Sequence, residues 1–343
     1  MKRCTASSPT RIDLAGGTLD IWPLNMLVER AMTVNVAIDL TATAEIEDLP
    51  AGGSATSARV EVHSEDQGRT EAWDIAAAPP AGSSLPLIAE CLRFFGPSRG
   101  FRITTRCQAP AGSGLGGSSA LAIGILGALQ AYLGRPIMPP DEMVRVARDL
   151  EAKVLEIPTG TQDHFAAVFG GAAAIRYGAG RAVREAIAVD LEALGSRLVL
   201  AYGGASRLSA MANWDMMRRA IDKDEQTRRA LSAIAVIAHE MRAALTAGDF
   251  DAVGSLLGRE WEQRKLLSAK VTTEIIEKTI AAARQAGAIA GKVCGAGGGG
   301  CIAIVCREGA RPAVEKALLA LAADGLKLLA ARPTRVGLQL AAA

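Results

Sequence analysis

The sequence predicts a mixed helix-and-strand protein, built as two domains or as one large two-layer unit. Three observations carry this expectation. At 343 residues the chain exceeds what one compact core usually holds. Half of its residues are hydrophobic but only 4% are aromatic, so Ala, Leu, Val and Ile must fill the interior. Strand-like and helix-like stretches alternate through the first half, whereas residues 206–286 are almost wholly helical in pattern.

The elements follow in chain order. Thr33–Glu47 (TVNVAIDLTATAEIE) mixes β-branched residues with partial alternation and reads as one or two strands, and Arg59–His63 as another. Residues 48–57 and 76–84, rich in Gly, Ala, Pro and Ser, read as loops. Phe101–Cys107 alternates as a strand should. Ser119–Leu133 has helical composition and stops at Gly134 and Pro136. Asp141–Glu156 opens on prolines and acids, spaces Met143, Val144, Ala147, Leu150 and Val154 along one helical face, and stops at Pro158 and Gly160. A short helix over Gln162–Val168 and an extended Ala172–Tyr177 come next.

A boundary is expected between Tyr177 and Arg197, which divides residues 1–185 from 186–343. Beyond it, Arg197–Tyr202 is a strand candidate, and helices broken near 222–224, Gly248 and Ser268 follow. Ala288–Val293 and Cys301–Cys306 are apolar strands flanking CGAGGGGC. Ala310–Ala323 reads as a helix and Leu326–Ala331 as a strand.

A formal net charge of +2, without a polybasic stripe or acidic tail, argues against nucleic acid or a membrane surface as the main partner. None of the six cysteines forms a CxxC pair, and none of the three histidines stands at metal-ligand spacing from a cysteine, so a zinc site is not expected. The opening MKRCTASSPTRIDLAGG lacks an apolar signal core, and the longest apolar run, Ala120–Leu129, is too short to span a bilayer. The expectation is a cytoplasmic protein with free thiols.

The stretch APAGSGLGGSSALAIG (109–124) sets glycines and serines directly before a helix. Glycines there let main-chain N–H groups converge on an anion, and the helix N-terminus adds partial positive charge. Pro110, Gly112, Ser113, Gly114, Leu115, Gly116, Gly117, Ser118 and Ser119 are thus the expected polyphosphate loop. It lacks the lysine of a Walker loop. It does match GxGxxG through Gly112, Gly114 and Gly117, which keeps a nicotinamide-dependent oxidoreductase as an alternative of another class. That alternative leaves the paired serines and the second glycine cluster without a role. A flexible serine-capped loop is the plain structural reading.

PAGSGLGGSSA resembles the nucleotide loop of the GHMP kinases, the superfamily of galactokinase, homoserine kinase, mevalonate kinase and phosphomevalonate kinase. SPTRIDLAGGTLDIWPL (8–24) stands in place of the family's first motif and KVCGAGGGGCIAIV (292–305) in place of its third, in the same order. RIDLAGG and GTQDHFAAVFGG look most like bacterial heptose-phosphate kinases and fucokinases. The resemblance implies a two-domain α+β fold, with an N-terminal domain like ribosomal protein S5 domain 2, a ferredoxin-like C-terminal domain, and the site in the cleft between them.

It also implies ATP and Mg²⁺, with a hydroxyl of a sugar or sugar phosphate as acceptor and a monomer or homodimer as the working state. A mevalonate-type kinase is the alternative within the superfamily. It is disfavoured because no lysine lies between Arg3 and Arg30. A silent sugar-binding relative is disfavoured because the matched chemical residues are all present.

Asp163 matches the family's catalytic aspartate, and Arg11 the basic residue flanking it. Ser118 and Glu151 match the magnesium ligands, with Glu156 a competitor on the same helix. Gly17, Thr18 and Asp20 fall in the acceptor motif, where the usual AGGGTD has become AGGTLD. Gly297 and Gly298 belong to the third loop and would approach the substrate. Arg207 is the candidate anchor for a phosphate already on the acceptor. Read as residues alone, Asp163 is a helix N-terminal acid, Glu151 and Arg207 are solvated surface groups, Arg11 is half of a salt bridge, and His164 is a packed histidine.

Overall fold

The computed structural model describes residues 2–49, 59–75, 79, 82–206 and 209–342, with side chains left aside at 209–213. Two sheets organise the chain. The first begins with β1 (Arg3–Ala15), which returns through α1 (Leu24–Leu27) to lie antiparallel against β2 (Met32–Glu47). β2 is long enough to serve two neighbours. β5 (Phe101–Cys107) pairs with its second half and β6 (Ala172–Gly178) with its first. β3 (Arg59–Ser64) runs parallel to β5 and carries β4 (Arg69–Asp74) at the edge, while β7 (Arg181–Ile187) pairs with β6.

One face of this sheet is covered by α2 (Pro86–Phe95), α3 (Gly117–Leu133), α4 (Pro140–Leu155) and α5 (Gln162–Phe169). α3 is apolar on nearly all sides and buried from Ser119 to Gln130, as a central helix should be.

After α6 (Leu191–Arg197) the second sheet starts with β8 (Leu198–Tyr202). The helices α7 (Ser209–Ile221), α8 (Glu225–Ala247), α9 (Phe250–Leu267) and α10 (Glu274–Gln285) come before β9 (Ala288–Val293) and β10 (Cys301–Cys306), and α11 (Arg311–Leu319) before β11 (Lys327–Leu329). The strand order β11-β8-β10-β9 is antiparallel throughout.

The expected helix breaks lie where capping chemistry puts them. Asp224 accepts from Thr227 N–H at the start of α8, Gly248 ends that helix in the left-handed region, and Ser268 follows α9. Helix α8 is long and apolar enough, by length and composition, to cross a membrane. Half of that stretch is buried inside the protein, with Ile237, Met241 and Leu245 against Val34, Val36 and Leu257. It occupies the position of a core helix.

Where the structure departs from the expected elements, the reason is mostly two-sided burial or irregular sequence. β1 was not expected as a strand. From Ser8 to Ala15 every residue is buried, Pro9, Thr10, Arg11 and Asp13 included, so no alternation marks it. Its second face meets the helices and sheet of the other half in one continuous core of Ile12, Leu14, Met32, Leu198, Leu257 and Val305. The boundary expected at 185/186 falls inside β7. A final strand, β12 (Gln339–Ala342), returns from the second half to pair with β1.

Candidate active site

The phosphate-loop segment lies where β5 hands over to α3. Gly112, Gly114 and Gly116 have φ of +68°, +75° and +76°, a region that side chains with a Cβ rarely adopt. The first helical hydrogen bond runs from Ala120 N–H to Gly116 O. The amides of Gly117, Ser118 and Ser119 therefore have no acceptor within the helix, and no side chain caps them. They open on a cleft of about 590 Å³ lined by Pro110, Ser113, Ser118, Glu151 and Asp163 among others. Leu115, expected in the loop, points away into the core and is fully buried.

Arg11 ties the three glycine-bearing motifs together. It is buried on β1, and its Nε and Nη2 lie 2.7 and 2.6 Å from Asp163 Oδ1. Its Nη1 donates to Gly114 O at 2.7 Å and to Cys294 O at 3.3 Å, so one guanidinium joins the first motif, the phosphate loop and the third loop. Asp163 stands in the first turn of α5, a favourable place for a carboxylate. A Cβ at Gly116 would sit 3.0 Å from its Oδ2, so the missing side chain leaves that oxygen room beside the loop.

Asp20 is buried next to Asp163 and accepts from Gln162 N–H at 3.1 Å. Burial, and then the neighbouring Asp163 charge, push its pKa up to about 6. Gly160 packs so tightly against this carboxylate that any Cβ would collide with it.

Glu151 projects from α4 into the same cleft. It takes hydrogen bonds from Ser118 Oγ and, at 2.8 Å, from Ser119 Oγ. His164 Nε2 lies 3.2 Å from its Oε2. Burial alone would raise its pKa, but His164 and the two serines outweigh it and hold the carboxyl below its usual range. Its competitor Glu156 is exposed at the end of the helix.

Among the described residues, no three His, Cys, Asp or Glu side chains converge as a metal cluster. An ionised carboxylate beside a serine hydroxyl, open to a polyphosphate, is nevertheless a donor set that suits Mg²⁺, which keeps much of its water and takes few protein oxygens.

The structure separates some expected site residues from the cleft. Gly297 packs on Val271, and Gly298 N–H donates to Val271 O at 2.7 Å; the lining comes instead from Gly295 and Ala296. Gly295 meets Gly114 so closely that a Cβ on Gly114 would lie 2.9 Å from Gly295 N. Arg207 lies outside the described residues.

The sequence reading missed a buried charge network behind Gly17 and Thr18. Lys292 Nζ lies 2.7 Å from Asp13 Oδ2 and 3.2 Å from Glu260 Oε2. Arg264 pairs with Glu260 and donates to Gly17 O at 3.0 Å and to Thr18 Oγ1 at 3.3 Å. The only signal was a pair of charges four apart on an otherwise amphipathic helix, which reads as a solvated face.

Two family models match the chain, the GHMP kinases N terminal domain over residues 86–171 and the GHMP kinases C terminal over residues 241–324. A D-glycero-alpha-D-manno-heptose 7-phosphate kinase of Campylobacter jejuni is 32% identical over 207 residues, which is 58% of this chain and 59% of that protein. An L-fucokinase/L-fucose-1-P guanylyltransferase of Bacteroides fragilis is 26% identical over 88% of this chain and 34% of its own length. The matched region thus spans about a third to three fifths of these relatives. Among solved structures, a D-glycero-D-manno-heptose 1-phosphate kinase from Bacteriodes thetaiotaomicron superposes with a TM-score of 0.76 at 25% identity, covering 98% of each chain. A Lactococcus lactis galactokinase complexed with galactose gives 0.75 at 19% identity over 98% of this chain and 95% of that one. Both family domains, in order and on the two-domain α+β fold of these structures, establish that the chain belongs to the GHMP kinases.

Proposed function

We propose that this protein is an ATP- and Mg²⁺-dependent kinase that phosphorylates a hydroxyl of a sugar or sugar phosphate. One observation carries the reading. Arg11 fixes Asp163 at the mouth of a glycine loop whose helix N-terminus has open amides, so a proton acceptor and a polyphosphate cradle face the same cleft. Phosphoryl transfer needs charge neutralisation and in-line placement more than covalent help. The amides of residues 117–119 would hold the ATP phosphates. Ser118 and Glu151 would hold Mg²⁺, which neutralises phosphate charge when bound. Asp163 takes the acceptor's proton as its oxygen bonds to the γ-phosphorus and the bond to ADP breaks. Arg11 holds Asp163 in place, and its charge also faces the transferred group. Asp20 and Thr18 would hold acceptor hydroxyls.

The sugar-kinase relatives support this acceptor class. The six free cysteines, most of them buried, support a reducing compartment such as the cytoplasm.

The test is an ADP-release screen with Mg-ATP over heptose, fucose, galactose, arabinose, their phosphates, and mevalonate. Acceptor-dependent ADP formation with a sugar or sugar phosphate is the expected result. Turnover of mevalonate alone, or thermal stabilisation by NAD but not Mg-ATP, overturns it.

A further inference from the structure

Thr18 has a φ of +83°, in the left-handed region where a β-branched residue is strained. The turn around it is tight. Leu19 N–H donates to Gly16 O at 3.0 Å and Ile21 N–H to Thr18 O at 3.1 Å, and the turn delivers Asp20 to the cleft. Strain of this kind persists where surrounding structure enforces it, and it concentrates at ligand sites. Here the enforcing group is Arg264, 246 residues away on α9. Its two terminal nitrogens hold Gly17 O and Thr18 Oγ1.

Arg264 is itself fixed. Glu260 binds it, Lys292 binds Glu260, and Lys292 reaches Asp13 on β1, the strand that leads into the turn. These side chains are all buried. Gly17 fits because a Cβ there would lie 2.5 Å from Asp13 Oδ2 and 3.1 Å from Arg264 Nη2, two members of the same network.

We propose that Arg264 is a positioning residue for the acceptor end of the site. It locks the Gly17–Thr18 turn so that Thr18 and Asp20 face the acceptor together. Because Thr18 Oγ1 accepts from the guanidinium, its own O–H remains to donate to an acceptor oxygen. The pair Thr18 and Asp20 then offers one donor and one acceptor, a match for neighbouring hydroxyls on a polyol. The inference rests on the kinase reading for its chemistry, though not for its geometry.

Two variants test it, Arg264→Lys, which keeps the charge but loses the fork, and Thr18→Gly, which removes the hydroxyl and relieves the backbone. Both should raise the acceptor KM about tenfold, the loss of one good hydrogen bond, with the KM for Mg-ATP unchanged. The double variant should be no worse than the poorer single one, because both act through one contact. Amide hydrogen exchange gives a readout that needs no substrate. In Arg264→Lys, Leu19 and Ile21 should exchange about tenfold faster while residues 115–125 keep their protection. Unchanged exchange at Leu19 and Ile21 overturns the positioning role even if no acceptor is found. Unchanged acceptor KM in a folded Thr18→Gly overturns the binding role even if the exchange result holds. An inactive wild type in the sugar screen counts against the kinase reading alone.

Discussion

At the scale of single residues, two neighbouring carboxylates meet different surroundings. Asp163 is held by Arg11 and partly open to the cleft, whereas Asp20 is buried beside it and makes no ion pair among the described residues. Asp163→Asn keeps the shape but cannot take a proton. Turnover should fall by about 10²–10⁴ while Mg-ATP affinity measured by calorimetry stays the same; full activity would remove Asp163 from the chemistry.

For Asp20 the prediction concerns stability. Its folded pKa of about 6 stands above the ordinary carboxylate value of 3.8. The native state therefore holds a proton that the unfolded state has lost between those pH values, and stability falls as pH rises from 4 to 6. A rise from 3.8 to about 6 corresponds to a penalty on the order of 3 kcal/mol at pH 7. Asp20→Asn should raise the melting temperature at pH 7 and leave it unchanged near pH 3.5, while weakening the acceptor. A stabilisation equal at both pH values would show that the charge is not its source.

At the scale of elements, the two glycine loops must interlock for the cleft to exist. Gly114→Ala would place a methyl 2.9 Å from Gly295 N on a backbone with φ +75°. Neither segment can yield, since Cys301 N–H donates to Ser113 O at 2.7 Å and Arg11 spans both. Activity should be lost, with a drop of several degrees in melting temperature as strain of about 1–3 kcal/mol enters the fold. Wild-type activity would mean that the loops can part.

These loops were legible in the sequence because their chemistry is local. Gly112, Gly114, Ser118 and the helix after them lie within a dozen residues, and the helix stops at Gly134 and Gly248 are single-residue signals. β1 and the charge network were not legible. Lys292 meets Asp13 across 279 residues, and burial on both faces removes the alternation that marks a strand; Arg11 and Asp163, 152 residues apart, were paired only through the family resemblance. Gly297 and Gly298 lie against Val271 while Gly295 and Ala296 line the cleft, and a run of glycines does not say which of them turns which way.

At the scale of the whole molecule, the two sheets are joined through β1, which pairs with β2 and β12 and carries Asp13 into the network of Lys292, Arg264 and Glu260. Two acids and two bases balance there in near-complete burial. Burial alone would raise the Asp13 pKa, but Lys292, Arg264 and Arg11 outweigh it and lower it below the ordinary range. That contribution is present above the ordinary carboxylate pKa and is lost as pH falls through the lowered one.

Lys292→Met keeps much of the volume and removes one base, leaving Asp13 and Glu260 to share Arg264. An uncompensated buried charge of this kind costs about 3–5 kcal/mol, far more than an exposed ion pair would. Urea unfolding at pH 7 should show that loss as a single transition, with tertiary and secondary signals moving together, because the network and β12 bind both halves into one core. Adding Glu260→Leu to Lys292→Met restores the balance of one acid to one base and should recover part of the stability. A loss below about 1 kcal/mol in the single variant would mean that water reaches the site and screens it as it does a surface pair.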